Sequence, residues 1–511
     1  MSDMAELRKI TLKNIIGYAS VNFLGGGAQL LISAWLMYFY TTMCNLNALE
    51  ASGIFTAARI IDALGNPIMG FITDNFLHTR LGRKFGRRRF FILLGVPTIT
   101  IVFPLLWITG QSLTYYFIMN LIYEVCFTMV IVPCSTLPAE MTQNAAEKSK
   151  LTGAKQFCGI VASTIAAFVP GRLFVVFGKN SPDAFLYTGL VYGVMLGISL
   201  LIVYLFTFER DPEDVHYDSQ IKSFWSIFPA ILSDVSSSMH LRTFRLHCVL
   251  MCVGGIFKNL TTGVFTYFVI FVLMLDPIVT SNISGITTMT SSGALMLFII
   301  CCYKWGGPAA YKISTIVVFL SLGGYFYLTH SGGGSSITVL LTLLAVANMA
   351  GRAGIDYVPV FQLPFMADID EAVTGQRREG LFTGVNSLLS KVATAVEAAL
   401  LGAGLEAFGF VKGVPVQTDS AILGIEILTI AAPFVLLTIT WLACNRLKLT
   451  KETHKIVVDE VHRLRSGGSM EDATDEVKKV FKLLTGYDYQ DCWGRKHGVG
   501  GQEVSAEHMA H

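Results

Sequence analysis

The chain has 511 residues, of which 53% are hydrophobic and only 14% charged. Soluble domains carry about 25% charged residues, so this composition excludes an ordinary water-soluble globular protein. A formal net charge of +2 gives no global electrostatic case for a nucleic-acid partner, and ten scattered cysteines without a Cys-x-x-Cys spacing give neither a disulfide framework nor a zinc site.

In chain order, twelve apolar spans are expected near residues 16–41, 48–73, 90–110, 114–138, 154–177, 184–207, 244–274, 281–303, 312–329, 336–366, 381–408 and 421–444. A membrane helix takes about 20 apolar residues, and these spans meet that length. Several contain Gly and Pro, among them Gly25-Gly26-Gly27, Pro67, Pro133 and Pro138. Membrane helices tolerate both residues because neighbouring helices and polar cavities satisfy the freed backbone groups.

The second span carries Arg59 and Asp62 near its middle. An ionisable group at that depth costs roughly 2.5–3.5 kcal/mol on insertion scales, and such residues mark transport paths. At i, i+3 on a helix the two share a face and can neutralise each other. The span closes on Asp74 and the basic run Arg80-Leu-Gly-Arg83-Lys84-Phe-Gly-Arg87-Arg88-Arg89. Further deep cations are Lys258 in the seventh span, Arg352 in the tenth and Lys391 in the eleventh; Glu124, Asp356 and Glu397 are the acids that answer some of them. Arg352 and Asp356 stand i, i+4. Beyond that pairing, the expectation is a cavity with spare positive charge for a carboxylated ligand, since Arg grips a carboxylate bidentately and Lys offers a point charge.

Lys and Arg crowd alternate connections: Arg8, Lys9 and Lys13; Arg80 to Arg89; Lys148 and Lys150; Arg210, Lys222, Arg242 and Arg245; Lys304 and Lys312; Arg377 and Arg378; Arg446, Lys448 and Lys451. The other set holds Arg172, Lys179 and Lys412. The positive-inside rule then puts both termini in the cytoplasm of a multi-pass protein of the cell inner membrane. The long connection at 209–243 divides the chain. The expected layout is a cytoplasmic N-terminus (1–15), a six-helix bundle (16–208), a cytoplasmic linker (209–243), a second six-helix bundle (244–445) and a cytoplasmic helical tail (446–511). This is an all-α membrane protein of twelve transmembrane helices, with two bundles that rock around a midplane site. In the tail, Ile456, Val457, Val461 and Leu464 share one helical face, Ser469 with Asp472 opens a second helix, and Gly498 to His511 reads as disordered.

No His-Glu-x-x-His, Gly-x-Ser-x-Gly or phosphate-cradling loop occurs, so neither an enzyme active site nor a cofactor is expected. Aromatic residues Trp35, Tyr38, Tyr123, Tyr267 and Tyr357 lie in the spans, as packing groups or as platforms for a ligand. Asn386 and Ser387, one turn before Lys391, can hydrogen-bond a ligand or bridge helices.

Several stretches together resemble the glycoside–pentoside–hexuronide:cation symporters, the melibiose-permease branch of the major facilitator superfamily. They are Trp35-Leu-Met-Tyr-Phe-Tyr-Thr41, Ala58-Arg59-Ile-Ile-Asp62-Ala63 with Asn66-Pro67-Ile-Met-Gly70, and Met366-Ala-Asp-Ile-Asp370 with Thr374-Gly-Gln-Arg377-Arg378-Glu-Gly380, the last read as the loop before the eleventh helix. The resemblance runs over residues 10–445 and implies uptake of a sugar with Na⁺, Li⁺ or H⁺. Of the acids that hold the cation in melibiose permease, Asp62 remains; the others fall at Asn66, Gly26 and Ile131. One carboxylate beside the Asn66 amide is a poor sodium cage, whereas a lone buried carboxylate can carry a proton. The expectation is therefore H⁺ coupling rather than Na⁺, or no coupling, with Asp62 and Asn66 as the coupling residues; the alternative role of Asp62 is to pair with Arg59 or Lys391 and hold helices together. Lys155, Lys391 and the cations Arg59, Lys258 and Arg352, with Tyr357 and Asn386, are the residues set out for substrate. Asp74, Arg83 and Arg87 match the superfamily's charge lock between helices two and three. The expected cargo is a uronate-bearing glycoside or short oligosaccharide, oligogalacturonide-like, carried by a monomer within the lipid bilayer. A neutral glycoside or pentoside symporter, a lysolipid transporter and a sugar sensor that does not transport are the alternatives.

Overall fold

The computed structural model describes residues 10–142, 144–178, 181–209, 235–330, 336–376 and 378–494. The expected linker core, Arg377, the first nine residues and the segment from Gly498 lie outside these.

Each of the twelve expected spans is a helix: α1 Leu12–Thr42, α2 Ala48–Asn75, α3 Arg89–Leu105, α4 Leu113–Met141, α5 Ala145–Phe177, α6 Pro182–Phe206, α7 Arg242–Val272, α8 Pro277–Trp305, α9 Gly307–His330, α10 Ile337–Thr374, α11 Glu379–Ala407 and α12 Asp419–Arg446. Ten of them are long and apolar enough to span a bilayer by composition. The other two are α2, which carries Glu50, Arg59, Asp62 and Asp74, and α3, which has only 17 residues. Side-chain oxygens cap several starts: Asn47 and Glu50 form a capping box on α2, Ser112 caps α4, and Thr418 caps α12. Prolines interrupt α2, α3, α4, α5 and α10 without ending them. α1 loosens into π-helical turns at Phe23–Ala28 and Ile32–Leu36, the kind of wide turn that recurs at functional sites.

Two helices run longer than their apolar stretches. α5 starts at Ala145, so Lys148 and Lys150 are helical rather than in a connection. α10 reaches Thr374, so Met366 to Asp370 forms its last turns rather than the loop expected there. That extension is tied down: Arg378 donates to both oxygens of Asp370, Nε at 2.7 Å and Nη2 at 2.6 Å. Gly375, at φ +70°, ends the helix in the left-handed region.

The first six helices pack mainly on one another, as do the last six. Between the bundles α2 packs on α11, α5 on α8 and α1 on α7. These contacts gather at the end away from the basic connections, here called the outer end. There a Cβ on Gly402 of α11 would collide with Ser52 of α2. Gly171 N donates to Ser281 Oγ at 2.9 Å, joining α5 to α8. Thr41 Oγ1 and Tyr267 Oη of α7 are 2.8 Å apart, and Thr266 Oγ1 donates to Ala34 O at 2.8 Å. Around them Trp35, Tyr38, Phe174, Phe185, Tyr267, Phe271 and Phe410 form one buried aromatic cluster. Toward the basic end the bundles part. Gly70, Gly153, Gly380 and Gly384, in the basic halves of α2, α5 and α11, have nothing within 4 Å of a Cβ position.

The tail folds back on the second bundle. α13, Lys451–Arg465, packs on α10, and α14, Asp475–Thr485, packs on α7. His454 meets Asp368 at 2.9 Å, Arg465 meets Glu371 at 2.5 Å, and Thr243 Oγ1 donates to Leu484 O at 2.5 Å. Val457, Val461 and Leu464 are buried as the face pattern requires. Ser469 starts only a single turn, Met470–Asp472; α14 begins at its own cap, Thr474. Within α13 the Glu460 carboxyl, which burial alone would push up, is held below its ordinary range by hydrogen bonds from Arg463 and Tyr489.

A central cavity between the bundles

Under the aromatic cluster lies a cavity of about 800 Å³, walled by α1, α2, α4, α5, α7, α10 and α11. Its polar wall is written in helical stripes. α11 contributes Ser390, Lys391, Thr394 and Glu397; α7 contributes Lys258, Asn259 and Thr262; α1 contributes Gly25, Gly26, Gln29 and Ser33, on and between its π-helical turns. Spacings of three and four put such residues on one face. Its aromatic wall is Phe55 and Phe127. Trp35, Tyr38 and Tyr267 are instead spent in the outer cluster, and Tyr123 is buried behind Phe103 and Phe127.

The deep charges find partners across helices rather than along them. Asp62 pairs with Lys391 of the opposite bundle, and Thr128 Oγ1 donates to its other oxygen at 2.9 Å. Arg59 does not neutralise Asp62. It reaches Glu124 of α4 at 3.0 Å and donates to Gln29 Oε1 of α1 at 3.2 Å. Asp356 likewise turns from Arg352 to Lys258, at 2.8 Å. Arg352 instead donates through Nη2 to Lys258 O at 2.8 Å and Thr262 Oγ1 at 2.5 Å. Four deep cations thus stand against four deep acids. The spare positive charge expected from the sequence is absent from this balance. Three ion pairs form; among the described residues, Arg352 and Glu397 stand in none.

The remaining residues set out for substrate are dispersed. Tyr357 and Arg352 line a side pocket of about 320 Å³ between α5, α8 and α10, which shares Lys258 and Asp356 with the central cavity. Lys155 sits away from the cavity wall, with its ammonium 5.8 Å from the Tyr18 ring centre. Asn66 and Asn386 are also outside the wall. Gly26, at the position of a missing acid, does line the cavity and faces Ser163. Among the described residues, no group of three His, Cys, Asp or Glu side chains gathers as a metal site. Gln29, Thr128, Asn259 and Thr394 were not singled out in the sequence. Their one signal is the 3–4 spacing of polar residues within apolar spans.

The basic run packs into the first bundle. The Glu209 carboxylate accepts from the backbone N–H groups of Arg87, Arg88 and Arg89 at 3.0, 2.8 and 2.5 Å, satisfying the exposed donors at the start of α3. Glu140 of α4 binds Arg87 at 2.6 Å and Arg88 at 2.8 Å. Arg83 is exposed on the short helix Arg80–Phe85, and the Asp74 side chain lies outside the described residues.

A family profile described as MFS/sugar transport protein matches residues 17–451. The symporter YnaJ of Bacillus subtilis is 24% identical, covering 89% of this chain and 96% of its own. The isoprimeverose transporter of Lactiplantibacillus pentosus is 22% identical over 84% and 87% of the two chains, and the glucuronide carrier protein homolog of Escherichia coli 21% over 89% and 96%. Among solved structures, the nucleoside transporter NupG superposes with a TM-score of 0.59 at 12% identity, covering 86% of this chain and 100% of its own. The chain is a multi-pass secondary transporter of the major facilitator fold and belongs to the MFS/sugar transport protein family.

Proposed function

We propose that this protein imports a uronate-bearing glycoside or short oligosaccharide across the inner membrane by alternating access, with H⁺ as the coupling ion. The observation that carries the reading is the Asp62–Lys391 pair. It joins the two bundles inside the cavity, so its making and breaking is felt by their relative position. Protonating Asp62 removes the charge that holds Lys391 and frees the ammonium for a ligand oxygen. The Lys and Arg asymmetry makes the basic end cytoplasmic, and the cavity then faces the cytoplasm.

A ligand carboxylate gains Lys258 by displacing Asp356. That pair is the most open of the three, with 37% and 59% of the side chains exposed. The hydroxyls of Ser163, Thr262, Ser390 and Thr394 and the amide of Asn259 suit sugar hydroxyls, and Phe55 and Phe127 suit the apolar face of a pyranose. The relative named for glucuronides supports a uronate, and the one named for isoprimeverose, a neutral disaccharide, supports a cargo of this size but not its charge.

Uptake of labelled digalacturonate and labelled isoprimeverose into energised vesicles tests the reading, with and without a proton ionophore, for wild type and Asp62→Asn. Ionophore-sensitive digalacturonate uptake that Asp62→Asn reduces to background is expected. Ionophore-insensitive uptake overturns the proton, and uptake of isoprimeverose alone overturns the uronate.

A further inference from the structure

Three of the four deep acids are matched: Asp62 by Lys391, Glu124 by Arg59, and Asp356 by Lys258. The fourth is Glu397, on the cavity face of α11, six residues from Lys391 toward the outer end. Six residues of helix are about 9 Å. Glu397 is only 9% exposed, and no hydrogen bond or ion pair reaches its carboxyl among the described residues. Five residues further out, α2 and α11 close against each other at Ser52 and Gly402. Gly263 of α7 leaves the room that the carboxyl occupies, since a Cβ there would stand 3.2 Å from Glu397 Oε1.

The charges around it are accounted for. α2 presents Arg59, committed to Glu124 and Gln29, and Asp62, committed to Lys391 and Thr128. α7 presents Lys258 and α10 Asp356, which hold each other. α1 presents only the uncharged Gln29 and Ser33. A carboxylate here is removed from bulk water with every neighbouring cation already bound elsewhere, whereas a carboxylic acid needs no cation. Asp62 is in the opposite condition. One of its oxygens meets the Lys391 ammonium and the other accepts from Thr128 Oγ1.

We propose that Glu397 is a proton-bearing residue of the transport cycle. It is a neutral carboxylic acid while Asp62 holds Lys391. It gives its proton to cavity water when Lys391 or Arg59 is released and turns toward it; the O–H bond breaks, the electron pair stays on the carboxylate, and the cation that arrives balances the charge. This rests on the proton-coupled reading above and adds a second acid to it, placed between Asp62 and the outer seal.

Infrared difference spectroscopy of the purified full-length protein in lipid, between mildly acid and mildly alkaline buffer, tests this without a substrate. Wild type is expected to show the carbonyl stretch of a protonated carboxyl that titrates away. Asp62→Asn, which frees Lys391, should keep the band only in acid and move its loss to lower pH; Glu397→Gln should lose the band at every pH, and Glu397→Asp should restore it at a shifted frequency. A band that survives Glu397→Gln, or one absent from wild type, overturns the proposal. Ionophore-insensitive uptake by wild type overturns the coupling reading instead and leaves the infrared result standing.

Discussion

Where α2 meets α11 at the outer end, Ser52 lies against Gly402 and the helices approach backbone to backbone. Further along the same two helices Asp62 pairs with Lys391, and beyond that pair Gly70 and Gly384 face open space. One end is held by shape and the other by charge. Close packing of small residues does not depend on a ligand, whereas a buried ion pair responds to any proton or carboxylate that competes for it. A molecule that must open at either end in turn needs both kinds of contact, and the cavity lies between them.

Breaking the charge contact should have the largest effect. Lys391→Ala leaves Asp62 buried without its cation, and removing one partner of such a pair costs about 3–5 kcal/mol. The expected result is a lower melting temperature in detergent that Asp62→Asn in the same chain largely restores; equal losses from the single and double variants would show that the pair does not couple. Next comes the packed contact. Gly402→Val forces α2 from α11, and overpacking of this kind costs about 1–3 kcal/mol. A cysteine placed at Phe55 should then become about tenfold more reactive to an impermeant thiol reagent from outside, and unchanged reactivity would mean that the outer seal does not rest on this contact. At Lys258 and Asp356, where the pair is half open to solvent, the stability effect of Asp356→Asn should be within about 1 kcal/mol. Its sharper effect should be on ligand, with tighter binding of a uronate and unchanged binding of a neutral glycoside by calorimetry.

The tail should respond least. Arg465 is 48% exposed where it meets Glu371, so Arg465→Ala should change the melting temperature by the equivalent of less than about 1 kcal/mol. Glu460 has its carboxyl held low in the folded chain. A lowered folded value gives stability that is complete above the ordinary carboxylate range and is lost only as pH falls through the folded value. Protease sensitivity of the tail should therefore be the same at about pH 6 and about pH 8 and should rise only in acid. A change between those two values would show that the Glu460 carboxyl is not what ties the tail down.

Much of the helix layout was legible because it depends on neighbours along the chain. Every apolar span became a helix, since within a bilayer the backbone must bond to itself. The tail face of Val457, Val461 and Leu464 followed from spacing alone. The longer ends of α5 and α10 did not, because what holds Asp370 in α10 is Arg378 across a turn and the tail packed beside it. The candidate site divides the same way. Arg59, Asp62, Lys258 and Lys391 stood out as charges in apolar surroundings, and the structure brings those four to one cavity.

Hydropathy along the chain decides which residues are too polar for the membrane and must be answered. Which residue answers which was settled by tertiary structure. Arg59 has Asp62 three residues away and takes Glu124; Asp356 has Arg352 four residues away and takes Lys258. On a helix such neighbours share a face, but a long side chain pointing into a shared cavity can reach a facing helix as easily as the next turn of its own. Helix formation is decided by bonds between near residues, whereas charge pairing is decided by whichever group the assembled bundles bring closest.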